Sequence, residues 1–168
     1  MVPSSGLRSL RRSLFSLLSR TGVAVYSRFP VFGALRASVA VIRNSQLILV
    51  IERSDGRGLS LPGGFTHPWE TPEQAVLRET IEETGLRADQ CRFLFEYQTT
   101  LDVPCVITVF QLEASGELRD SWEGSPCWLP LTEIRHRLLP SQRQIVDRLL
   151  EAENSQAVIR PADAAPSE

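Results

Sequence analysis

Three glutamates, Glu79, Glu82 and Glu83, stand at positions i, i+3 and i+4 of one stretch. On a helix with 3.6 residues per turn they share a face, with neighbouring Cβ atoms roughly 5–6 Å apart. At about 5 Å and an effective dielectric of about 20, each ionised pair costs roughly 3 kcal/mol before solvent screening. Glu82 and Glu83 also fall in the last turn, where the helix dipole disfavours anions. As a stability device the arrangement is poor. As a socket for a hard divalent cation it works, because Mg²⁺ takes a few carboxylate oxygens and completes its shell with water and substrate phosphate. The competing reading is a solvated acidic helix face.

The neighbouring residues define the element that presents these carboxylates. Thr71 is a good N-cap, Pro72 suits the first helical position, and Gln74 completes a capping box with Thr71. Gly85 supplies a left-handed stop. The helix is therefore expected over Pro72–Thr84, fed by a loop that begins at Gly63-Gly64.

This stretch, GFTHPWETPEQAVLRETIEETGL, resembles the signature box of the Nudix hydrolase family. Gly64, Glu70, Arg78, Glu79, Glu82, Glu83, Gly85 and Leu86 fall in its register. Two positions depart from the usual pattern: Thr80 replaces an apolar residue, and Trp69 stands where glycine usually precedes the first glutamate. The run ETPEQAV resembles the MutT-type branch. The resemblance implies an α/β/α sandwich with a mixed β-sheet; pattern alone supports only α/β or α+β.

It also implies roles. Glu82 and Glu83 are expected to ligate Mg²⁺ (Mn²⁺ being an alternative), with the backbone carbonyl of Gly63 as a further ligand. Glu79 is either a ligand or the base that takes a proton from water. Arg78 and Glu70 are expected to pair and orient the loop, against the alternative of an ordinary surface ion pair. Glu123 sits where MutT-type members place an additional metal carboxylate, or is an exposed loop acid. The implied reaction is hydrolysis of a nucleoside diphosphate linked to another moiety, giving a mononucleotide and a phosphorylated product. Nucleoside triphosphates, including oxidised guanine nucleotides, are raised by the MutT-like run, although that helix does not touch the base. The rival readings are a non-catalytic nucleotide-sensing or protein-binding module, and a membrane-peripheral hydrolase of a lipid-linked or sugar-nucleotide diphosphate.

The chain of 168 residues suffices for one domain with a sizeable core. Its formal charge of −2 argues against general nucleic-acid binding. Residues 1–51 hold seven arginines and no acid, and the chain has no lysine, so arginine is the strong cation available for phosphate. Cys91, Cys105 and Cys127 lack metal-ligand spacing and read as reduced thiols of a cytoplasmic protein. His67 and His136 have no partner suited to zinc. A homodimer is compatible with all of this.

Residues 1–34 read as a basic amphipathic segment and connector. Within it, residues 7–20 carry leucine at helical spacing, compatible with a helix packed on the domain, a peripheral membrane contact or a transit peptide. The domain is expected over residues 35–153. Leu35–Arg43 and Gln46–Arg53 form a hairpin around Asn44-Ser45; Arg92–Thr100 and Cys105–Leu112 read as two more strands. Arg53 leaves a strand beside the site, either to hold a substrate phosphate or as a solvated loop charge. Trp122 either stacks on a nucleobase or packs, and Trp128 reads as core. A closing amphipathic helix is expected from Ser141 to about Glu153, with a disordered tail from Asn154.

Overall fold

The computed structural model describes residues 35–159, with side chains to Ser155. The expectations for residues 7–20, for the connector up to residue 34 and for residues 160–168 lie outside the described residues.

Strand β1 (Leu35–Asn44) turns back into β2 (Leu47–Arg53), pairing Asn44 with Leu47 and Arg43 with Ile48. The turn is Ser45-Gln46, one residue later than expected, and Ser45 takes the left-handed conformation at φ 55°. β1 then parts from β2. Most of its length runs parallel to β6 (Cys105–Ser115), in register from Leu35–Cys105 to Ile42–Leu112. Its N-terminal half also pairs antiparallel with β4 (Gly63–Phe65). β2 pairs antiparallel with β3 (Leu59–Ser60) and β7 (Gly124–Pro130). β5 (Arg87–Thr99) lies antiparallel to β6. The sheet is mixed, in the order β3-β2-β1-β6-β5, with β4 added on β1 and β7 on β2.

Strand periodicity assigns the two faces. Val39, Val41, Ile48, Val50, Ile107 and Val109 point to one side, where Ile145 and Val146 cover them from α3 (Arg143–Ile159). Leu131 and Ile134 of α2 (Leu131–Ile134) close the same layer. Ala40, Ile42, Leu49, Phe110 and Leu112 point to the other side, against Val76 of α1 (Pro72–Thr84). Helix, sheet, helix: this is the sandwich expected. Trp128, read as core, is half-buried against the α1-side cluster.

Of the boundaries that differ from the expectation, the C-terminus of α3 and the start of β5 differ most. α3 runs to Ile159, past the end expected at Glu153, because the sequence offers no glycine or proline before Pro161 to stop it. β5 starts at Arg87 rather than Arg92, with a register shift between Ala88 and Gln90. Ala, Asp and Gln are weak strand formers, and the pairing offered by the long β6 overrides that preference.

Candidate active site

Helix α1 begins and ends where its capping residues dictate. The Thr71 hydroxyl accepts from the Gln74 N–H at 3.1 Å, and the Gln74 side chain accepts from the Thr71 N–H at 2.9 Å. At the other end Gly85 sits at φ 78° and its N–H donates to the Ile81 carbonyl. Thr80, the residue standing in an apolar position, is fully buried, and its hydroxyl donates to the Val76 carbonyl at 2.7 Å. Its one polar group is thus satisfied within the helix, and the methyl faces the core.

The three glutamates occupy different environments. The Glu83 residue is 4% exposed, and one of its carboxylate oxygens accepts from the Gly63 N–H at 2.7 Å. Glu79 lies under Gly64, where an added Cβ would stand 2.3 Å from the Glu79 carboxylate. A side chain at position 64 would push the Glu79 carboxylate from this place. Gly63 is constrained more tightly, by backbone: its φ is 148°, and a Cβ would meet the Ser38 carbonyl at 2.2 Å. The Glu82 side chain is 58% exposed and accepts from Arg78 at 3.3 Å. Glu123, on the loop before β7, presses its carboxylate on Glu83 and adds to the negative field at Glu79.

Burial pushes the Glu83 carboxyl above its ordinary range, and the charges of Glu123 and Glu79 add to the shift against the pull of the Gly63 N–H. Burial also raises Glu79, with Glu123 and Glu82 adding to it and Arg78 opposing. A positive ion among these groups would reverse both effects, and every side-chain donor on offer is a hard oxygen, so the set fits Mg²⁺ or Mn²⁺. Among the described residues, no three acidic, His or Cys side chains already form a closed metal-ligand set. Glu79 is tied to Arg78, Glu83 to Gly63, and Glu82 turns outward.

Arg78 organises the loop before α1. It meets both Glu70 oxygens, at 2.7 and 3.0 Å, and donates further to Glu79 at 2.8 Å and to the Phe65 carbonyl at 3.3 Å. The Arg78 hydrogen bonds hold Glu70 down at about 2 against an opposing burial effect, with help from the His67 N–H. The expected pair is thus a two-point clamp. The Glu70 N–H closes a turn onto the His67 carbonyl at 3.0 Å. Trp69, the second departure from the box, is 79% exposed, with its indole 5.1 Å from the His67 ring. Among the described residues the non-glycine positive φ values are at Ser45 and Asp102 alone, so the turn does not demand glycine at position 69.

Two further expected residues flank the site differently. Trp122 is 65% exposed, next in sequence to Glu123, and its carbonyl accepts from the Ser54 hydroxyl at 3.1 Å. The Arg53 guanidinium, expected either to hold a substrate phosphate or to be a solvated loop charge, is not solvated: its side chain is 10% exposed. It donates to both oxygens of Asp55, at 3.1 and 2.6 Å, in a mostly buried pair. Asp55 was missed by the sequence reading. The signal available was an acid lying two residues from an arginine on either side, in the glycine-bearing loop Arg53-Ser54-Asp55-Gly56-Arg57-Gly58.

A mixed sheet lies between helical layers, with the buried glutamate of one helix held by the Gly63 N–H. The chain belongs to the Nudix hydrolase family: residues 34–149 match the NUDIX domain. It is 32% identical over 111 residues to the MutT-like protein of Streptomyces ambofaciens, covering 65% of this chain and 71% of that one. To the 8-oxo-dGTP diphosphatase of Haemophilus influenzae it is 37% identical over 76 residues, 40% of this chain and 56% of that one. A candidate 8-oxo-dGTP diphosphatase of Bacillus subtilis is 46% identical over 52 residues, 31% of this chain and 35% of its own length. Among solved structures, the E. coli ORF135 protein superposes with a TM-score of 0.61 at 24% identity, covering 77% of this chain and 94% of that one. The MutT protein of Bacillus halodurans gives 0.62 at 19% identity, covering 69% and 82%. At these identities the structures establish the shared fold. Among the described residues, no helix is long and apolar enough to cross a membrane.

Proposed function

We propose that this protein hydrolyses a phosphoanhydride bond in a nucleoside diphosphate derivative, nucleoside triphosphates first among them, with Mg²⁺ or Mn²⁺ as the metal. The observation that carries this reading is the crowding of Glu79 and Glu123 against the buried Glu83, a cost to the fold that a bound cation would turn into a gain. In this reading Glu82, Glu83, Glu123 and the Gly63 carbonyl hold the cation, with Glu79 either joining them or acting as base. Such an ion, when bound, neutralises phosphate charge and polarises a phosphoryl oxygen.

The chain's own residues do the rest. Arg78 and Glu70 hold the loop of residues 65–70 against the helix, fixing Gly64 over Glu79. Glu79, with its proton affinity raised by burial, is suited to accept the proton of the attacking water. Trp122 offers an exposed indole beside Glu123 for stacking on the base. Arg53, held by Asp55, belongs to the loop that backs Glu123. The relatives named for 8-oxo-dGTP support an oxidised purine nucleoside triphosphate as the first substrate to try.

The test is a panel of nucleoside triphosphates, sugar nucleotides and dinucleotides incubated with titrated Mg²⁺, following mononucleotide, phosphate and pyrophosphate release. Metal-dependent turnover of at least one member, lost in Glu83→Gln, is expected. Turnover that survives chelation, or that Glu83→Gln leaves intact, would remove the assignment.

A further inference from the structure

The loop between β2 and β3 is locked by a single carboxylate. Asp55 has a side chain 5% exposed, and it accepts from Arg53 Nε at 3.1 Å and Arg53 Nη2 at 2.6 Å. Arg57 supplies its backbone N–H at 3.1 Å and its Nε at 3.0 Å. Both oxygens are engaged. The ends of the loop are closed by the Arg53 N–H on the Gly58 carbonyl at 3.0 Å.

The loop so fixed carries Ser54, which grips the segment before β7 twice. Its N–H donates to the Glu123 carbonyl at 2.8 Å, and its hydroxyl donates to the Trp122 carbonyl at 3.1 Å. The register continues into the ladder, where Arg53 pairs with Gly124. Gly124 is packed so closely that a Cβ would meet the Glu52 carbonyl at 2.3 Å. From the other side the Ser121 hydroxyl accepts from the Glu123 and Gly124 N–H groups at 3.2 and 3.3 Å. The backbone of residues 122–124 therefore has its place set by the 53–58 loop, and the Glu123 side chain leaves that backbone toward Glu83.

We propose that Asp55 is a positioning residue: through Arg53 and Ser54 it fixes the backbone that aims Glu123 at the carboxylates of α1. This rests on the reading that Glu123 joins Glu83 in holding a divalent cation. It gives the buried Arg53–Asp55 pair a purpose, since partners that orient metal-binding groups typically change metal affinity about 10–100-fold when removed.

The experiment titrates Mn²⁺ into the full chain, following free Mn²⁺ by electron paramagnetic resonance, for wild type, Glu123→Gln, Asp55→Asn, Ser54→Ala and Asp147→Asn. The last variant breaks the Arg135–Asp147 ion pair, which lies between α3 and the residue after α2, and controls for general loosening. Expected is a loss of Mn²⁺ affinity of more than about tenfold in Glu123→Gln and about tenfold in Asp55→Asn. Ser54→Ala loses a smaller factor, and Asp147→Asn binds as wild type. In turnover, Asp55→Asn lowers kcat with KM unchanged. Wild-type Mn²⁺ affinity in both Asp55→Asn and Ser54→Ala, with Glu123→Gln weakened, overturns the positioning role and leaves the metal reading standing. Wild-type affinity in Glu123→Gln removes the metal reading and the positioning role with it. A fall of KM in Asp55→Asn would also overturn it, because Asp55 would then be withholding Arg53 from substrate. Should Asp55→Asn fail to fold, Ser54→Ala decides.

Discussion

Two loops approach the carboxylate turn of α1, each stiffened by an arginine gripping both oxygens of an acid. In the 65–70 loop the arginine belongs to the helix: Arg78 reaches eight residues back to Glu70 and also touches Glu79 and Glu82. In the 53–58 loop the pair is local, Arg53 with Asp55, and touches none of the α1 glutamates; its influence passes through Ser54 to the neighbouring segment at Glu123. The first clamp ties loop to the glutamate-bearing helix directly. The second ties loop to loop. A direct clamp fixes distances among the residues it touches, whereas an indirect brace fixes only the place from which Glu123 departs. Damage to the first is therefore expected to lower the rate with metal affinity largely kept, and damage to the second to lower metal affinity, with kcat falling in consequence.

The largest effects belong to the centre where both loops meet. Glu83→Gln is expected to reduce metal-dependent turnover at least a thousandfold, on the order of the several kcal/mol a cation contributes to transition-state charge stabilisation. The same substitution should raise the melting temperature of the metal-free protein. It removes a carboxyl whose ionised form is opposed by burial and by Glu123 and Glu79, while keeping an amide oxygen for the Gly63 N–H. Lower stability together with unchanged turnover would contradict both statements. Glu79→Gln is expected to lower kcat by about 10²–10⁴-fold, the usual worth of a general base. A loss under about tenfold would leave Glu79 as a supporting ligand.

Smaller effects separate the two loops. Glu70→Gln weakens the direct clamp alone and should lower kcat by about tenfold to a hundredfold through misplacement of Gly64 and Glu79, with Mn²⁺ affinity much less affected. Equal losses of Mn²⁺ affinity in Glu70→Gln and Asp55→Asn would erase the distinction between the clamps. Trp122→Ala, on the indirectly braced segment, should raise KM for a nucleoside triphosphate by about tenfold while tripolyphosphate is unaffected, since stacking is worth about 1–3 kcal/mol per base. A matching change with tripolyphosphate would assign Trp122 to packing.

The same contrast explains what the sequence made legible. The direct clamp sits inside one contiguous stretch, where Thr71, Pro72, Gln74 and Gly85 encode the helix locally and so determine which residues share a turn. Helix bounds and capping box could be read from spacing, while the Glu70–Arg78 pair came only with the family resemblance. What spacing could not give was the divergence of Glu79, Glu82 and Glu83 into different degrees of burial, because that depends on Gly63 and Gly64 packing over the helix. The fate of Arg53 was illegible for a related reason. Its type and place fitted a phosphate ligand, but a neighbour two residues on competes for the same guanidinium and holds it at short range. Strand ends went astray where ladder pairing outweighed local propensity, as at Arg87–Gln90.

The smallest expected effect isolates the local brace by pH. Arg53 and Arg57 hold the Asp55 carboxyl down from its ordinary 3.8 to about 2, overcoming a burial effect that alone would raise it. A carboxyl depressed by folding binds its proton more readily in the unfolded chain, so its contribution is complete above about pH 4 and fades as pH falls toward 2. Thermal melts between pH 6 and 2 should therefore converge: the gap between wild type and Asp55→Asn is constant down to about pH 4 and narrows below it. Glu70 and Asp147, also lowered by arginine partners, titrate in both proteins and cancel in the difference. A gap that stays constant through pH 2.5, or widens, would mean that the negative charge of Asp55 contributes nothing to holding the loop. The brace would then rest on hydrogen-bond geometry that asparagine, with one accepting oxygen instead of two, does not reproduce.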